Sequence, residues 1–449
     1  LQYQDTVNGT VLACQISTLI VHEHLTGQLN ERSLRDLLAN GLTDDDIPFF
    51  RHDFDSFRLD KNNFPSFTHW GEAGMEVFLD KQWVVLAPIL DLNDGQSLEL
   101  RLEEGCALEL SSCEEVACTH VGRVFSAEIP SREAGIPPRH VAVKQFINSK
   151  AYMHERCNFY KIRRINNIHL IKSLATCDDI HCIIFPWAKH GNLKQYWEEE
   201  SYRSLPILIW SIKQLAGLAS ALRDLHEVKC CHGDLEPSNI LYFEDGGGVL
   251  KIADLGKAQV YDSSADPDED EAVMLPSKRV YEGPEIYWLT NGHKSLKYDC
   301  WSMGCVILEF LIWLLYDWRA VDGFRSSRVS AWNTFYCLKE PDLIAGDQRI
   351  KWLENIERHP NVDEAIKQLR EDPRVRGTAL DELVDLVDSK LLLVNPRCRL
   401  EADKMAKELR ELVERCNAAQ TPWANHEAPP EVPELFRQET RRESLSSYQ

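Results

Sequence analysis

The spacing of apolar and polar positions changes near Gly191 of this 449-residue chain. From about 101 to 190, short apolar runs alternate with polar turns, which is typical of an antiparallel sheet, and the clearest strands are Val121–Ile129 and Val141–Phe146. After Gly191, apolar residues recur at helical spacing, as over Pro206–Val228. The pattern therefore predicts an α+β fold, with a small β-rich part followed by a larger helical part.

The same spacing predicts one more strand and several more helices. His181–Trp187 has the composition of a strand that ends in a proline-containing connection. Lys297–Leu315 is strongly apolar with a helical period, and Pro360–Leu393 and Leu400–Cys416 also have the period of helices.

The two ends of the chain differ from its middle. Residues 1–106 carry no motif to which a chemistry can be assigned, but Asn30–Gly41 has the start and stop signals of a helix. We expect a mostly helical extension of unknown function there. Residues 417–449 are rich in Pro and Glu, which predicts a disordered tail.

Composition narrows the class of protein. Hydrophobic residues make up 44% of the chain, enough for a large core, and the formal net charge of −21 disfavours binding to nucleic acid or to anionic membrane surfaces. The 14 cysteines show neither a Cys-x-x-Cys pair nor zinc-ligand spacing, which indicates reduced thiols and an intracellular location, in cytoplasm or nucleus. The apolar run Val11–Val21 is too short and too polar to span a membrane.

The chemistry concentrates in Cys230–Gly256. Asp234 and Asn239 lie five residues apart in a polar loop, and Asp254 follows after two short apolar runs separated by Gly246–Gly248. These glycines predict a tight hairpin, which would return Asp254 to the side of Asn239. One carboxylate and one carboxamide suit magnesium, and Asp234 would then accept a hydroxyl proton. The alternative is an ordinary loop and hairpin with solvated acids.

Lys144 is the other candidate functional residue. It follows His140-Val-Ala-Val in a strand in which Val141 and Val143 face one way and Ala142 and Lys144 face the other. A lysine in an apolar strand is costly unless its amine has an anionic partner. The alternative is an edge strand with a solvated lysine.

Taken in order, these motifs resemble those of the eukaryotic-type protein kinases, and the wording is closest to fungal serine/threonine kinase-like proteins. His232–Asn239 resembles the catalytic loop, and Asp254-Leu-Gly256 resembles the metal-binding motif. The resemblance covers about residues 107–416 and implies a small lobe over 107–190 and a large helical lobe over 191–416.

The resemblance also implies roles for particular residues. Asp234 would be the catalytic base towards a protein Ser or Thr hydroxyl, Asn239 and Asp254 would hold Mg²⁺, and Lys144 would hold the α- and β-phosphates of ATP across a cleft from Asp254. The remaining ATP contacts would be Val116, Gly122, Val124, Ala142 and Leu241 around the base and loop, with the backbone of Pro186 and Ala188 at the adenine and Phe185 as gatekeeper.

Three further motifs resemble structural supports of the same fold. Asp299, at the start of a large central helix, would brace the catalytic loop. Gly283-Pro284-Glu285 stands where the activation segment ends, and Arg399 would pair with that glutamate.

Two departures from the family pattern affect the phosphates. The glycine-rich loop falls on Ala117–Val124, where only Gly122 remains of three glycines, so nucleotide binding should be weaker. Glu236 stands where the catalytic loop usually has a lysine that contacts the γ-phosphate. The substitution places a negative charge beside the transferring group.

Two further departures affect regulation and the partner of Lys144. The expected partner position falls on Asn158, and Glu155, one turn earlier, could replace it. Gly233 replaces the arginine before Asp234, so a phosphorylated activation segment would lack its central partner, and the acidic run Tyr261–Glu271 would repel an added phosphate. Two hypotheses result: a slow serine/threonine kinase, or a pseudokinase that acts as a protein-interaction module.

Overall fold

The computed structural model describes residues 97–100, 108, 110–119, 121–130, 137–200, 204–261, 280–288, 294–328, 334–339, 355–425 and 430–437. They belong to two compact units. The first, the sheet unit, holds the described residues up to Asn148 together with Ser173–Pro186. The second, the helical unit, holds Ser149–Lys172 and the described residues from Trp187 onward. Of the expected extension over 1–106 the structure describes only 97–100, and the acidic run 262–271 lies outside the described residues.

The sheet unit is built on one six-stranded sheet in the order β1-β5-β6-β4-β3-β2. Neighbouring strands are antiparallel except β1 and β5, which are parallel. The strands are β1 (Leu98–Leu100), β2 (Ser111–Cys118), β3 (Gly122–Ile129), β4 (Arg139–Phe146), β5 (Ala175–Cys177) and β6 (Cys182–Pro186). The strands expected over Val121–Ile129, Val141–Phe146 and His181–Trp187 are thus confirmed.

Alternation along β4 explains the sheet unit's core. Val141 and Val143 are buried among apolar residues of β3, β5 and β6, whereas Ala142 and Lys144 are half-buried on the other face. Because successive strand residues point to opposite faces, the sequence positions one face of the sheet for packing and the other for function.

The helical unit contains α1 (Ser149–Ile162), α2 (Leu193–Glu199), α3 (Leu205–Glu227), α4 (Leu296–Leu315), α5 (Trp318–Ser327), α6 (Pro360–Glu371), α7 (Ala379–Leu386) and α8 (Ala402–Asn417). Its short strands form three pairs: β7 (Cys230–Cys231) with β10 (Gln259–Val260), β8 (Ile240–Phe243) with β9 (Val249–Ile252), and β11 (Tyr336–Leu338) with β12 (Ile356–Arg358). The expected α+β fold, with a β-rich lobe and a helical lobe, is confirmed.

Helix α4 forms the centre of the helical unit. Nearly all of its side chains are buried, including those of Trp301, Phe310 and Trp313. Helices α3 and α4 are long and apolar enough to cross a membrane by composition alone, and the apolar window of α4 is fully buried within the unit. Such burial is what the core helix of a globular unit shows.

The range Pro360–Leu393 is helical as expected, but it holds two separate helices, α6 and α7. Helix α6 ends at Glu371, and Asp372 and Pro373 follow it. Gly377 then takes a φ of 68°, and the side chain of Thr378 caps a new helix by accepting from the amide of Leu380. Proline lacks the amide that a continuous helix needs, and glycine tolerates the left-handed turn.

The expectation of a wholly disordered tail is also wrong. Residues Glu434–Phe436 form a 3₁₀ turn, and Phe436 is 1% exposed. Its ring lies 5.2 Å from that of Tyr316 and 6.2 Å from that of Phe324, centroid to centroid. The buried ring of Phe436 therefore anchors a segment whose composition suggested disorder.

The boundary between the parts also differs from the expected 107–190. Ser149–Lys172, which contains α1, groups with the helical unit. The Nδ2 of Asn158 donates to the carbonyl oxygens of Leu255 and Ala258, and the amide of Ile171 donates to Ile252. These bonds tie α1 and the chain after it to the segment that carries Asp254.

Candidate active site

The hairpin predicted from the three glycines brings the candidate residues together. Strands β8 and β9 pair from Ile240 with Ile252 to Phe243 with Val249. The amide of Ala253 then donates to the carbonyl oxygen of Asn239 at 2.9 Å. Asp254, the next residue, is thereby placed beside Asn239, and Gly246–Gly248 take positive φ angles of 64° to 96° in the turn. The hairpin is confirmed.

Asp234 is held by groups from both sides of this hairpin. The Nδ2 of Asn239 donates to its backbone oxygen at 2.7 Å and to its Oδ2 at 3.2 Å. The Nζ of Lys257 donates to the same Oδ2 at 2.9 Å. The carboxylate side chain is only 13% exposed, so its orientation is fixed before any substrate binds.

Asp254 has the backbone conformation of a specialised position. Its φ is 63°, a left-handed value that is uncommon outside glycine, and its Oδ1 accepts from the amide of Gly256 at 3.0 Å. A side chain at Gly256 would lie 3.0 Å from Oδ1 of Asp254 and 3.0 Å from Oε2 of Glu155. The glycine therefore lets two carboxylates approach the same point of the backbone.

The donor set fits a magnesium ion. Because Asn239 uses its Nδ2 towards Asp234, its amide oxygen is turned away from that residue, and Asp254 supplies a carboxylate. Magnesium takes one or two protein oxygens and completes its shell with phosphate and water. Among the described residues there is no group of three or more His, Cys, Asp or Glu side chains placed for a metal.

Asp299 braces the catalytic loop as the resemblance implied. It is fully buried in the first turn of α4, and it accepts from the amides of His232 and Gly233 at 2.8 Å each. The Nε2 of His226 lies 2.9 Å from its Oδ2. Burial opposes the charge, but the hydrogen bonds from His226 and Gly233 outweigh it and hold the pKa of Asp299 below its usual value.

Gly233 has an unexpected neighbour. Its φ is 72°, and the Nζ of Lys294 donates to its carbonyl oxygen at 2.6 Å. Lys294 is 1% exposed, and burial lowers the pKa of its ammonium group while nearby acidic groups oppose the shift. Sequence reasoning missed this residue, because a lysine just before the N-cap of a helix is ordinarily a solvated surface residue.

The structure separates the roles of Asn158 and Glu155. Asn158 uses its amide to hold the backbone around Asp254, as described above, and so does not replace a glutamate. Glu155, also buried, lies beside Gly256 of the metal-binding motif. Its pairing with Lys144, and the approach of Lys144 to Asp254, join residues of different units and stay predictions.

Within the sheet unit, the predicted nucleotide residues share one face. Val124 pairs with Lys144, and Ala142 pairs with Phe185, the predicted gatekeeper, so all four lie on the sheet face opposite the core. The Nζ of Lys144 lies 5.3 Å from the ring centre of Phe146. Val116 lies between register-shifted residues of β2 and is 49% exposed.

In the β2–β3 turn, two backbone amides donate hydrogen bonds to a side chain of the turn itself. The Oγ1 of Thr119 accepts from the amides of Val121 and Gly122, at 3.4 and 3.2 Å. A side chain at Gly122 would lie 2.2 Å from the carbonyl oxygen of Gln145, so strand packing requires this glycine. These two amides are therefore bonded within the turn rather than presented to a phosphate.

The remaining predicted positions lie at element ends. Pro186 is the last residue of β6, opposite Val141, and Ala188 is buried at the start of the helical unit, where its carbonyl oxygen accepts from Gly191. Leu241 is half-buried in β8 and bridges to Asn192.

The predicted Glu285–Arg399 pair is also present. Both side chains are at most 2% exposed, and two guanidinium nitrogens donate to the two carboxylate oxygens at 2.7 and 3.1 Å. This bidentate pair fixes Gly283-Pro284-Glu285 to the end of the helical unit.

Comparison with known proteins identifies the family to which these structural features belong. The protein kinase domain model matches residues 137–409, more than half of the chain. The chain belongs to the protein kinase family. Members of this family use ATP with a divalent metal ion and act on proteins, and the match includes Lys144, Asp234, Asn239 and Asp254.

Individual relatives are distant. The chain is 28% identical over 213 residues to "Probable cyclin-dependent kinase 8" of Dictyostelium discoideum, which covers 44% of this chain and 53% of the relative. It is 29% identical over 233 residues to "Protein kinase gsk31" of Schizosaccharomyces pombe, covering 49% and 58% respectively. A shorter match, 41% over 93 residues, is to the "Probable serine/threonine-protein kinase MRK1 homolog" of Encephalitozoon cuniculi and covers 21% of this chain and 27% of that relative. The chain thus spans little more than half the length of the first two of these relatives and about a quarter of the third.

Proposed function

We propose that this chain is a slow protein serine/threonine kinase that transfers the γ-phosphoryl group of MgATP to a protein hydroxyl. The observation that supports this most directly is the arrangement of Asp234. Its carboxylate is oriented by Asn239 and Lys257 and shielded from water, as a residue that must meet an incoming hydroxyl requires.

In this proposal each residue has a separate task. Asn239 and Asp254 would hold magnesium, which neutralises charge on the phosphates when bound, and Lys144 would hold the α- and β-phosphates. Asp234 orients the hydroxyl and accepts its proton at a carboxylate oxygen. Asp299 keeps the loop amides in place, so little of the site must be reorganised on binding.

The β2–β3 turn supports the low rate. Thr119 occupies the two amides nearest the turn, so the turn contributes less to nucleotide binding than a glycine-rich loop would. The same observation favours the alternative, a pseudokinase that binds partners without transfer. A location inside the cell, without nucleic-acid or membrane partners, remains part of the proposal and is supported by the charge of −21 and the unpaired thiols of the described cysteines.

Two substitutions test the proposal. Asp254→Asn should weaken magnesium-dependent nucleotide binding about tenfold or more, equivalent to about 1.4 kcal/mol, because it removes the anionic ligand. Asp234→Asn should leave that binding nearly intact and lower transfer by about 10²–10⁴-fold, because the carboxylate meets the hydroxyl rather than the metal. Binding is followed by calorimetry, and transfer by label from γ-labelled ATP into a generic protein substrate or the chain itself.

The matched control is Asp245→Asn, an exposed aspartate in the turn of the same hairpin. It should behave as the native chain does in both assays. If the native chain binds MgATP but transfers no label, the pseudokinase alternative replaces the proposal. If Asp234→Asn and Asp254→Asn alter neither binding nor transfer, the site assignment is wrong.

A further inference from the structure

The catalytic loop has an unusual charge for a site that handles a triphosphate. His232–Asn239 contains two acids, Asp234 and Glu236, and neither lysine nor arginine. Transfer of a phosphoryl group depends on positive charge near the transferring oxygens. A loop with this sequence therefore needs a cation from another part of the chain.

Lys257 is placed to provide that charge. Its Nζ lies 2.9 Å from Oδ2 of Asp234, and the two side chains are 28% and 13% exposed, so water screens the pair only in part. It follows the metal-binding motif directly, which ends at Gly256. A side chain at Gly233 would lie 2.9 Å from the backbone oxygen of Lys257, so the two segments are in close contact.

The backbone on both sides of Lys257 is anchored. Asn158 donates to the carbonyl oxygen of Leu255 at 3.0 Å and to that of Ala258 at 2.9 Å. The Nε2 of His154 lies 3.0 Å from the same oxygen of Ala258. Because α1 holds the residues that flank it, the ammonium group of Lys257 reaches Asp234 from a fixed base rather than from a mobile loop.

Glu236 is directed to other partners. The hydroxyl of Ser238 donates to its Oε1. Its side chain lines a pocket of about 180 Å³ together with Lys194 and Arg325. Both cations lie on helices outside the catalytic loop, so the pocket that Glu236 lines also carries positive charge.

We infer that Lys257 supplies, beside Asp234, the positive charge that Glu236 removes from the catalytic loop, and that it serves the terminal phosphate of the bound nucleotide. This rests on the proposed function and deepens it. Lys257 both positions Asp234 and compensates the charge of a triphosphate, so its loss should affect ATP more than ADP.

Lys257→Met in the full chain provides the test. We expect MgATP affinity to fall at least threefold more than MgADP affinity, because ADP lacks the terminal phosphate, and kcat to fall at least tenfold. Lys257→Arg should recover most of both quantities. Adding Glu236→Lys to Lys257→Met should restore the ATP preference and part of kcat, because it returns a cation to the loop.

The matched control is Lys297→Met. Lys297 is 26% exposed, close to the 28% of Lys257. It also pairs with a carboxylate, that of Glu401 at 3.5 Å, but this partner lies on the chain just before α8. Thermal unfolding of each variant shows whether it is folded. The inference is overturned if Lys257→Met and Lys297→Met have the same ratio of MgATP to MgADP affinity. It is also overturned if Glu236→Lys restores neither the ATP preference nor kcat in the Lys257→Met background.

The outcomes separate this inference from the proposed function. If transfer persists in Lys257→Met at the control rate, the chain is a kinase and the inference fails. If the native chain transfers no phosphoryl group but prefers MgATP to MgADP, and Lys257→Met removes this preference, the proposed function fails and the inference stands. A native chain that binds neither MgATP nor MgADP overturns both.

Discussion

Asp299→Asn tests how far the fold itself maintains the active loop. The substitution keeps the shape of a fully buried side chain but removes its charge. The native carboxylate accepts from the amides of His232 and Gly233 at 2.8 Å, with His226 Nε2 2.9 Å away. An asparagine amide group would turn a donor towards at least one of these donors.

The expected cost follows from these contacts. A hydrogen bond to a charged group contributes about 1.5–3 kcal/mol, and a donor left buried without an acceptor adds a penalty of about 1–3 kcal/mol. We expect a loss of about 3 kcal/mol, which would lower the melting temperature by about 6–12 °C for a unit of this size. Transfer should also fall, because the amides that carry Asp234 lose their fixed position.

The stability difference should depend on pH. The pKa of Asp299 is held below its usual value, because its hydrogen bonds outweigh burial. A group with a lowered pKa contributes stability that is present above its unfolded pKa of about 3.9 and is lost as the pH falls through the folded pKa. The native chain should therefore exceed Asp299→Asn in stability most clearly near neutral pH, and the difference should shrink on acidification below about pH 4.

The assay combines melting curves from pH 3 to 8 with kcat for the folded fraction, and Asp372→Asn is the control. Asp372 is also buried, and its carboxylate is held by Arg374 and Tyr316, none of which belongs to the catalytic loop. It should lose stability to a similar degree without a change in kcat. Equal kcat for native and Asp299→Asn chains would refute the view that this carboxylate maintains the loop.

Two further predictions concern the tail and the loop. Phe436→Ala should lower the free energy of unfolding by about 3 kcal/mol, measured by denaturant titration, because it empties a buried aromatic site; no change would mean that the tail packs only weakly. Gly233→Arg should not create a phosphorylation-dependent kinase, because φ is 72° and the new side chain would meet Lys257 and Lys294. The kcat of this variant should be lower than that of the native chain, and phosphatase treatment should change neither value. Phosphatase-sensitive activity in the native chain would contradict this prediction.

The sequence was most informative where local chemistry determines backbone geometry. Three consecutive glycines predicted a hairpin, and the hairpin alone brings Asn239 to Ala253. The apolar period located α3 and α4 within one or two residues. These features depend on neighbours in the chain, so a pattern can indicate them.

The sequence was least informative about contacts made by a single long side chain with residues distant in the chain. The sequence pattern does not select a partner for Lys257, and the folded chain places its Nζ at Asp234. Phe436 stands in a segment whose composition predicts disorder, yet its ring packs against those of Tyr316 and Phe324. Such contacts follow from distances between elements that composition and period do not determine.

The effect of the departures in the catalytic loop depends on which charged side chains surround them in the folded chain, and the motif alone does not give these neighbours. Gly233 and Glu236 each replace a cation of the family pattern, and the folded chain places one lysine beside Gly233 and another beside Asp234, which lies between the two changes. The Nζ of Lys294 contacts the carbonyl oxygen of Gly233, and the Nζ of Lys257 contacts the carboxylate of Asp234. Each lysine is held by described residues of the helical unit and needs no added phosphate to be positioned. A motif that has lost its own cations can therefore still lie in a cationic environment, which is why these two substitutions alone do not identify a pseudokinase.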